Sequence, residues 1–298
     1  MRRPTIFIVG APKCGTTALF EWLDRHPQVG MSRPKEPQFF ADDILGHQRT
    51  VTDMESYLLC FEEPGEAEFF GEASTCYLAS ASAAEQIRTF SPTAKIIAMV
   101  RDPVETMYAM HNERLLNNLE HIRDFASALD SDAPRFWTAG RFRGEQVIRL
   151  SYRRMVQFAE QVQCYIQVFG RENVHVIVYD DLLASAQEVY KNTLDFLGLE
   201  DDQREDFAKV NANRRVRSIA MHGFVKDSGG SVQHIVRHML PKPVRASISS
   251  IVNQFNVVEE PRPKMDSSLR RRLVKECFRE IDALSELLHR DLSSWKRV

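Results

Sequence analysis

A strand-like run, Thr5-Ile6-Phe7-Ile8-Val9, leads into the segment Gly10-Ala11-Pro12-Lys13-Cys14-Gly15-Thr16-Thr17, which opens a helix-like run, Ala18-Leu19-Phe20-Glu21-Trp22-Leu23. A strand, a glycine-punctuated loop and a helix N-terminus in this order form an anion site. Backbone N–H groups converge on the centre of the loop, and the helix dipole adds partial positive charge there. The two glycines have the G-x-x-x-x-G spacing of a phosphate-binding loop. In a nucleotide triphosphatase the lysine follows the second glycine and reaches the β- and γ-phosphates. Here Thr16 holds that place, and Lys13 lies inside the loop, two residues before Gly15. A lysine there lies nearer the first phosphate and its bridging oxygen. That suits a nucleotide whose one 5′ phosphate carries one transferable group. The bland alternative is a tight turn with an incidental lysine.

Beyond the loop, strand-like and helix-like segments alternate. Glu68 to Gly71 reads as a short strand and Ala81 to Phe90 as a helix; Ala94 to Val100 is a continuous apolar run, as a buried parallel strand requires. Glu105 to Leu116 then reads as a helix. Tyr152, Met155, Val156, Ala159, Val162, Ile166 and Phe169 form a stripe at helical spacing that stops at Gly170. Val174 to Tyr179 reads as a strand and Ala186 to Leu197 as a helix. Leu269, Leu273, Cys277, Ile281, Leu284 and Leu288 mark the core face of a long C-terminal helix. The pattern predicts an α/β, P-loop-like three-layer fold, with a central parallel sheet flanked by helices. The 298 residues, 43% of them hydrophobic, supply an ample core, and without a long Pro/Gly/Ser linker the expectation is a single domain over 1–298.

A formal net charge of −2 argues against a polycation that seeks nucleic acid. The five cysteines, at 14, 60, 76, 164 and 277, contain no C-x-x-C pair and read as reduced thiols, hence a cytoplasmic protein. Arg2 and Arg3 precede an apolar run too short for a signal peptide, so a first strand is the better reading. No stretch reaches the roughly 18 apolar residues of a transmembrane segment.

The segment GAPKCGTT resembles the 5′-phosphosulfate loop of sulfotransferases that use 3′-phosphoadenosine 5′-phosphosulfate (PAPS). The resemblance implies that Pro12, Lys13, Cys14, Gly15, Thr16 and Thr17 bind the co-substrate, with Lys13 also catalytic. Lys35-Glu36-Pro37-Gln38-Phe39-Phe40 resembles the E-x-x-F-F element of the carbohydrate-type enzymes, whose glutamate is the catalytic base; Glu36 matches it. The chemistry agrees, because an acceptor hydroxyl has a high pKa and must lose its proton as its oxygen attacks sulfur. Phe39 and Phe40 are expected to anchor the element in the core. Gly71-Glu72-Ala73-Ser74-Thr75 resembles a second element lining the acceptor cleft, in which Glu72 matches a glutamate that supports the active site, so the resemblance places Glu72 among the catalytic residues with Glu36 and Lys13. Ala73 stands where the heparan-sulfate enzymes carry lysine, which removes a positive charge and argues against a polyanionic acceptor.

Arg101-Asp102-Pro103-Val104-Glu105 resembles the family's 3′-phosphate element, an arginine at a strand end with a serine eight residues later. Arg101 matches the arginine, whose fork of N–H donors suits a phosphate; the serine position is Ala109. A salt bridge from Arg101 to Asp102 or Glu105 is the structural alternative. Asn211 to Ser218 resembles the loop that closes over the nucleotide, and its Arg-Ser pair makes Arg217 and Ser218 further co-substrate contacts. The resemblance covers most of residues 5 to 218 and 265 to 295. Residues 220–263 fit the alternating pattern poorly and read as a mobile lid or a subunit contact, which leaves a homo-oligomer open. The implied partners are PAPS or its product PAP and a hydroxylated acceptor on a glycan, lipid or secondary metabolite, with no metal needed at the reacting end. The other readings are a P-loop kinase for a small metabolite, which a magnesium requirement would favour, and a non-catalytic nucleotide-binding module.

Overall fold

Every residue of β1 (Ile6–Gly10) is buried. A strand that is apolar throughout, with no polar face, belongs in the interior of a parallel sheet covered on both sides. The computed structural model describes residues 2–46, 49–62, 67–117, 119–131, 151–207, 214–216, 257–259 and 264–298, and in it β1 is the central strand. The five-stranded sheet has the order β2-β3-β1-β4-β5, with β2 at Val29–Met31, β3 at Phe69–Ala73, β4 at Lys95–Val100 and β5 at Val174–Val178. All of its pairings are parallel. Phe7 lies opposite Glu72 on one side and Ile96 on the other.

The strand order places a topological switch at β1. The chain leaves β1 for β2 and β3 on one side, then crosses to β4 and β5 on the other. In open α/β sheets the crevice at the carboxyl end of such a switch is where ligands bind. The carboxyl ends of β1, β3 and β4 lead respectively into the glycine loop, Ser74-Thr75 and Arg101.

The helices that follow are α1 (Thr16–Asp24), α2 (Asp42–Leu45), α3 (Met54–Leu59), α4 (Ala83–Phe90), α5 (Pro103–Leu116), α6 (Phe125–Asp130), α7 (Phe158–Phe169), α8 (Tyr179–Ala184), α9 (Ala186–Leu197) and α10 (Ser267–Leu288). Asp102 caps α5 by accepting from the N–H groups of Val104 and Glu105, and Pro103 takes the first helical position, where a missing N–H costs nothing. α10 buries Leu273, Cys277, Ile281 and Leu284 of the predicted stripe, with Val274 beside them, against α5 and α7, while Leu269 and Leu288 at its ends are partly buried.

The elements expected from the sequence are present, with shifted ends. The stripe beginning at Tyr152 is buried apart from the partly buried Ile166, but its first part is a 3₁₀ turn over Arg154–Val156, and α7 starts only at Phe158. The edge strand β2 has only three residues and its central one is glycine, too short for a period to show. A separate antiparallel pair joins β6 (Arg214–Val216) to β7 (Val257–Glu259), and the segment 220–263, apart from β7, lies outside the described residues.

Candidate active site

The glycine loop is built as its sequence requires. Gly15 caps α1 with φ of 94°, and a Cβ there would lie 2.6 Å from Leu182 Cδ2. A Cβ on Gly10 would lie 2.7 Å from Leu78 Cβ and 2.9 Å from Thr75 O. Both positions therefore exclude side chains, one against α8 and one against the end of β3. The N–H groups of Ala18 and Leu19 bond to Gly15 O at 3.0 and 3.3 Å. Those of Gly15, Thr16 and Thr17 precede the helical ladder, as the first donors of any helix do. Pro12, Lys13, Gly15 and Thr17 are half-exposed, while Cys14 and Thr16 are buried.

Cys14 contributes backbone, not thiol. Its Sγ points inward toward Pro12 O at 3.5 Å and Thr106 Oγ1 at 4.0 Å. Burial pushes the thiol pKa up to about 12 despite the nearby Arg101 and Lys13 charges. The thiol is therefore no ligand for the nucleotide, and only the main chain of Cys14 can serve that role.

Lys13 has φ of 64°, a left-handed conformation sparsely populated by residues with side chains. Its Nζ lies 3.1 Å from Glu113 Oε1 on α5, with both side chains partly exposed. Arg101, at the end of β4, donates from Nη1 to Lys13 O at 3.3 Å and lies over the Tyr179 ring at 4.5 Å. It also approaches Glu105 at 3.9 Å. Glu105 is held more closely by Arg270 of α10 at 2.5 Å, and Arg270 reaches Asp102 at 3.3 Å. The guanidinium of Arg101 thus sits against the loop and supports its main chain, while Arg270 is the nearer partner of both carboxylates.

Glu36 also has a left-handed backbone, with φ of 62°. Its N–H bonds to Ala73 O at 3.0 Å. Its carboxylate accepts from Thr75 Oγ1 at 3.1 Å and pairs with Lys35 Nζ at 3.1 Å. Thr75 is the residue whose carbonyl abuts Gly10, and Lys35 Nζ lies 5.9 Å from the centre of the Phe20 ring on α1. These contacts place the Glu36 element beside the glycine loop. The expected anchor is present: Phe40 is 3% exposed and meets Phe7, Tyr57, Tyr77 and Phe90 in aromatic contacts, while Phe39 stacks on Tyr57 at 4.7 Å.

Glu72 is placed differently from the catalytic position its sequence suggested. It is 0% exposed. Its carboxyl accepts from Tyr57 OH at 2.5 Å, Ser74 Oγ at 2.7 Å and Tyr77 OH at 3.1 Å. Burial raises its pKa to about 7, against the opposing effect of these hydroxyl donors. A group so enclosed cannot touch a substrate and acts only through its neighbours. Ala73, in the place of a lysine, is likewise 0% exposed.

The structure brings together Lys13, Arg101, Glu36 and the loop. Arg217 and Ser218 lie outside the described residues. His111, near the vacant serine position, is buried and bonds through Nε2 to Ile122 O at 2.8 Å. Sequence reasoning missed Glu113, Thr75, Ser74, Tyr77 and Tyr57. Ser74 and Thr75 stood beside Glu72 as a visible hydroxyl pair. Tyr57 and Glu113 carried no local signal, because their partners are distant in the chain.

Comparisons with known proteins agree with this geometry. The family model of the sulfotransferase domain matches residues 3–238. Carbohydrate sulfotransferase 15 of Mus musculus is 31% identical over 147 residues, covering 36% of this chain and 26% of that protein. Bifunctional heparan sulfate N-deacetylase/N-sulfotransferase 1 of Mus musculus is 23% identical over 202 residues, covering 66% and 22% respectively. This chain thus matches about a quarter of the length of these curated relatives. A sulfotransferase from Alicyclobacillus acidocaldarius, known from its crystal structure, is 25% identical with a TM-score of 0.74, over 100% of both chains. The family model, the relatives and the fold converge: this chain belongs to the sulfotransferase domain family.

Proposed function

We propose that this chain transfers a sulfuryl group from PAPS to an acceptor hydroxyl. The observation that carries the reading is the convergence of three strand ends on one loop: Lys13 after β1, Thr75 holding Glu36 after β3, and Arg101 after β4. The donor set fits an adenosine nucleotide with one reacting phosphate. A half-exposed lysine and the first N–H groups of α1 suit the phosphosulfate, and the arginine beside them suits a second phosphate.

In the reaction Glu36 accepts the proton of the acceptor hydroxyl as its oxygen bonds to sulfur. The bond from sulfur to the bridging oxygen of the 5′ phosphate breaks, and that oxygen leaves carrying the negative charge. Lys13 and the N–H groups of Gly15, Thr16 and Thr17 stabilise this charge, as preorganised donors do. One such donor typically contributes on the order of 10²–10³ in rate. The acceptor is a hydroxyl of a sugar or another alcohol, in keeping with the carbohydrate sulfotransferase among the relatives.

Calorimetric titration tests the nucleotide half of the reading. PAP is expected to bind far more tightly than ATP, with no change on adding chelator. Tighter ATP binding that depends on magnesium would replace this reading with a small-molecule kinase.

A further inference from the structure

We propose that Ser74 and Tyr77 are positioning residues for Glu36, two hydroxyl bridges that tie the backbone carrying the base to the buried Glu72 carboxyl. The inference rests on the sulfuryl-transfer reading for the role of Glu36, but the bridges themselves stand on geometry. Ser74 Oγ donates to Glu72 Oε2 at 2.7 Å and accepts the N–H of Gln38 at 3.0 Å. Tyr77 OH donates to Glu72 Oε1 at 3.1 Å and accepts the N–H of Phe40 at 3.2 Å. Between them, Phe39 stacks on Tyr57, whose hydroxyl donates to the same Oε1. Three consecutive residues after Glu36-Pro37 are therefore referred to one carboxyl group.

The chemistry explains why hydroxyls stand there. The Glu72 oxygens accept here, and a backbone N–H only donates. A hydroxyl does both, so it relays orientation from one to the other. An apolar side chain at either position would leave a buried N–H without its partner, a costly arrangement away from water. Ser74, Tyr77 and Glu72 are each 0% exposed, so no water competes for these bonds. The segment needs such restraint. Glu36 and Gln38 hold φ of 62° and 61°, left-handed conformations that persist only where the surroundings impose them. The Glu36 carboxylate must then meet an acceptor oxygen within a narrow range, since a misplacement of about 1 Å can cost on the order of 10² in rate.

The test uses the full chain and the variants Ser74→Ala, Tyr77→Phe and both together, each also combined with Glu36→Gln. Hydrogen exchange, resolved to single amides, reads the bridges directly. Ser74→Ala should speed exchange at Gln38 and Tyr77→Phe at Phe40, each by about tenfold or more. Transfer from [³⁵S]PAPS to a panel of sugar, lipid and phenolic hydroxyls reads the consequence. The double variant should lose on the order of 10² in kcat with its KM for PAPS within a few-fold. In the Glu36→Gln background the same substitutions should cost less than about twofold, because they act only through the base. Losses that multiply with Glu36→Gln, or full kcat after exchange protection is gone, would overturn the inference. If the double variant does not fold, the single variants decide by the same readings. Wild-type protein that transfers nothing from PAPS refutes the transfer reading and the role of Glu36. Hydrogen exchange in the single variants still decides whether the bridges hold the segment.

Discussion

Lys13 Nζ lies 3.1 Å from Glu113 Oε1, so the cation of the phosphate loop is already engaged by a carboxylate from the neighbouring helix. An anionic nucleotide that takes Lys13 must displace this carboxylate or bind beside it. The side chains are 33% and 44% exposed, and a pair so hydrated contributes only about 0–1 kcal/mol. Glu113→Gln is therefore expected to tighten PAP binding by up to about fivefold, with a smaller gain at high salt. Calorimetry at two salt concentrations checks this. Weaker binding in the variant would mean that Glu113 orients Lys13 for the nucleotide instead of competing with it.

The same helix face carries the vacant serine position. Thr106 faces Cys14 and Glu113 holds Lys13, and Ala109 falls between them at helical spacing, itself 3% exposed. Ala109→Ser is expected to add a neutral donor and tighten PAP binding several-fold. Arg101→Ala should weaken PAP binding by roughly 10- to 150-fold, the worth of a charge-assisted bond to phosphate. Because Arg101 also donates to Lys13 O, part of the loss should persist with a nucleotide lacking the 3′ phosphate. Equal losses for both nucleotides would leave Arg101 as a clamp on the loop alone.

Glu72 gives the fold a pH signature. Its ordinary pKa of 4.5 is raised to about 7, chiefly by burial, so folding favours its protonated form. The stability drawn from that form is complete below pH 4.5 and is lost as the pH rises through about 7. Relative to Glu72→Gln, which cannot ionise, the wild type should lose up to about 3 kcal/mol across this window, an upper bound from the size of the shift. Urea melts of both proteins between about pH 5 and 8 check the sign. A stability difference that does not change with pH would contradict the raised pKa.

Cys14 is expected to be inert although it sits in the phosphate loop. The reactive species is the thiolate, and a buried thiol at about 12 supplies almost none at neutral pH. Treatment of the native protein with a maleimide should label Cys164, the partly exposed thiol, before Cys14, and should leave PAP affinity unchanged. Labelling of Cys14 at a rate equal to Cys164 would show that the loop opens.

What the sequence revealed follows from the range of the interactions involved. The glycine loop and the apolar strand ending at Val100 are legible because each is set by neighbours within a few residues, whereas Glu36 stands out through the resemblance of its segment to the E-x-x-F-F element. The anchoring of Phe39 and Phe40 was equally readable as paired aromatics beside a charged residue. Glu72 was found, but its depth was not, since burial depends on Tyr57 and Tyr77 closing over it from other elements. Glu113 was invisible for the same reason: its partner lies 100 residues away in the chain. β2 escaped because three residues, one of them glycine, display no period. The start of α7 was set too early because a 3₁₀ turn buries Met155 and Val156 as a helix would.

The central claim is that Glu36 acts as general base in sulfuryl transfer from PAPS. The most direct measurement is the rate at which purified protein moves ³⁵S from labelled PAPS to hydroxylated acceptors, wild type against Glu36→Gln, with PAP affinity measured on both. The account predicts transfer by the wild type and a loss of about 10²–10⁴ in kcat for the variant, with PAP affinity held within a few-fold. Lys13→Ala, by contrast, should reduce both kcat and affinity. A Glu36→Gln protein that keeps more than roughly a tenth of the wild-type rate would contradict the account, because a general base typically contributes about 10²–10⁴.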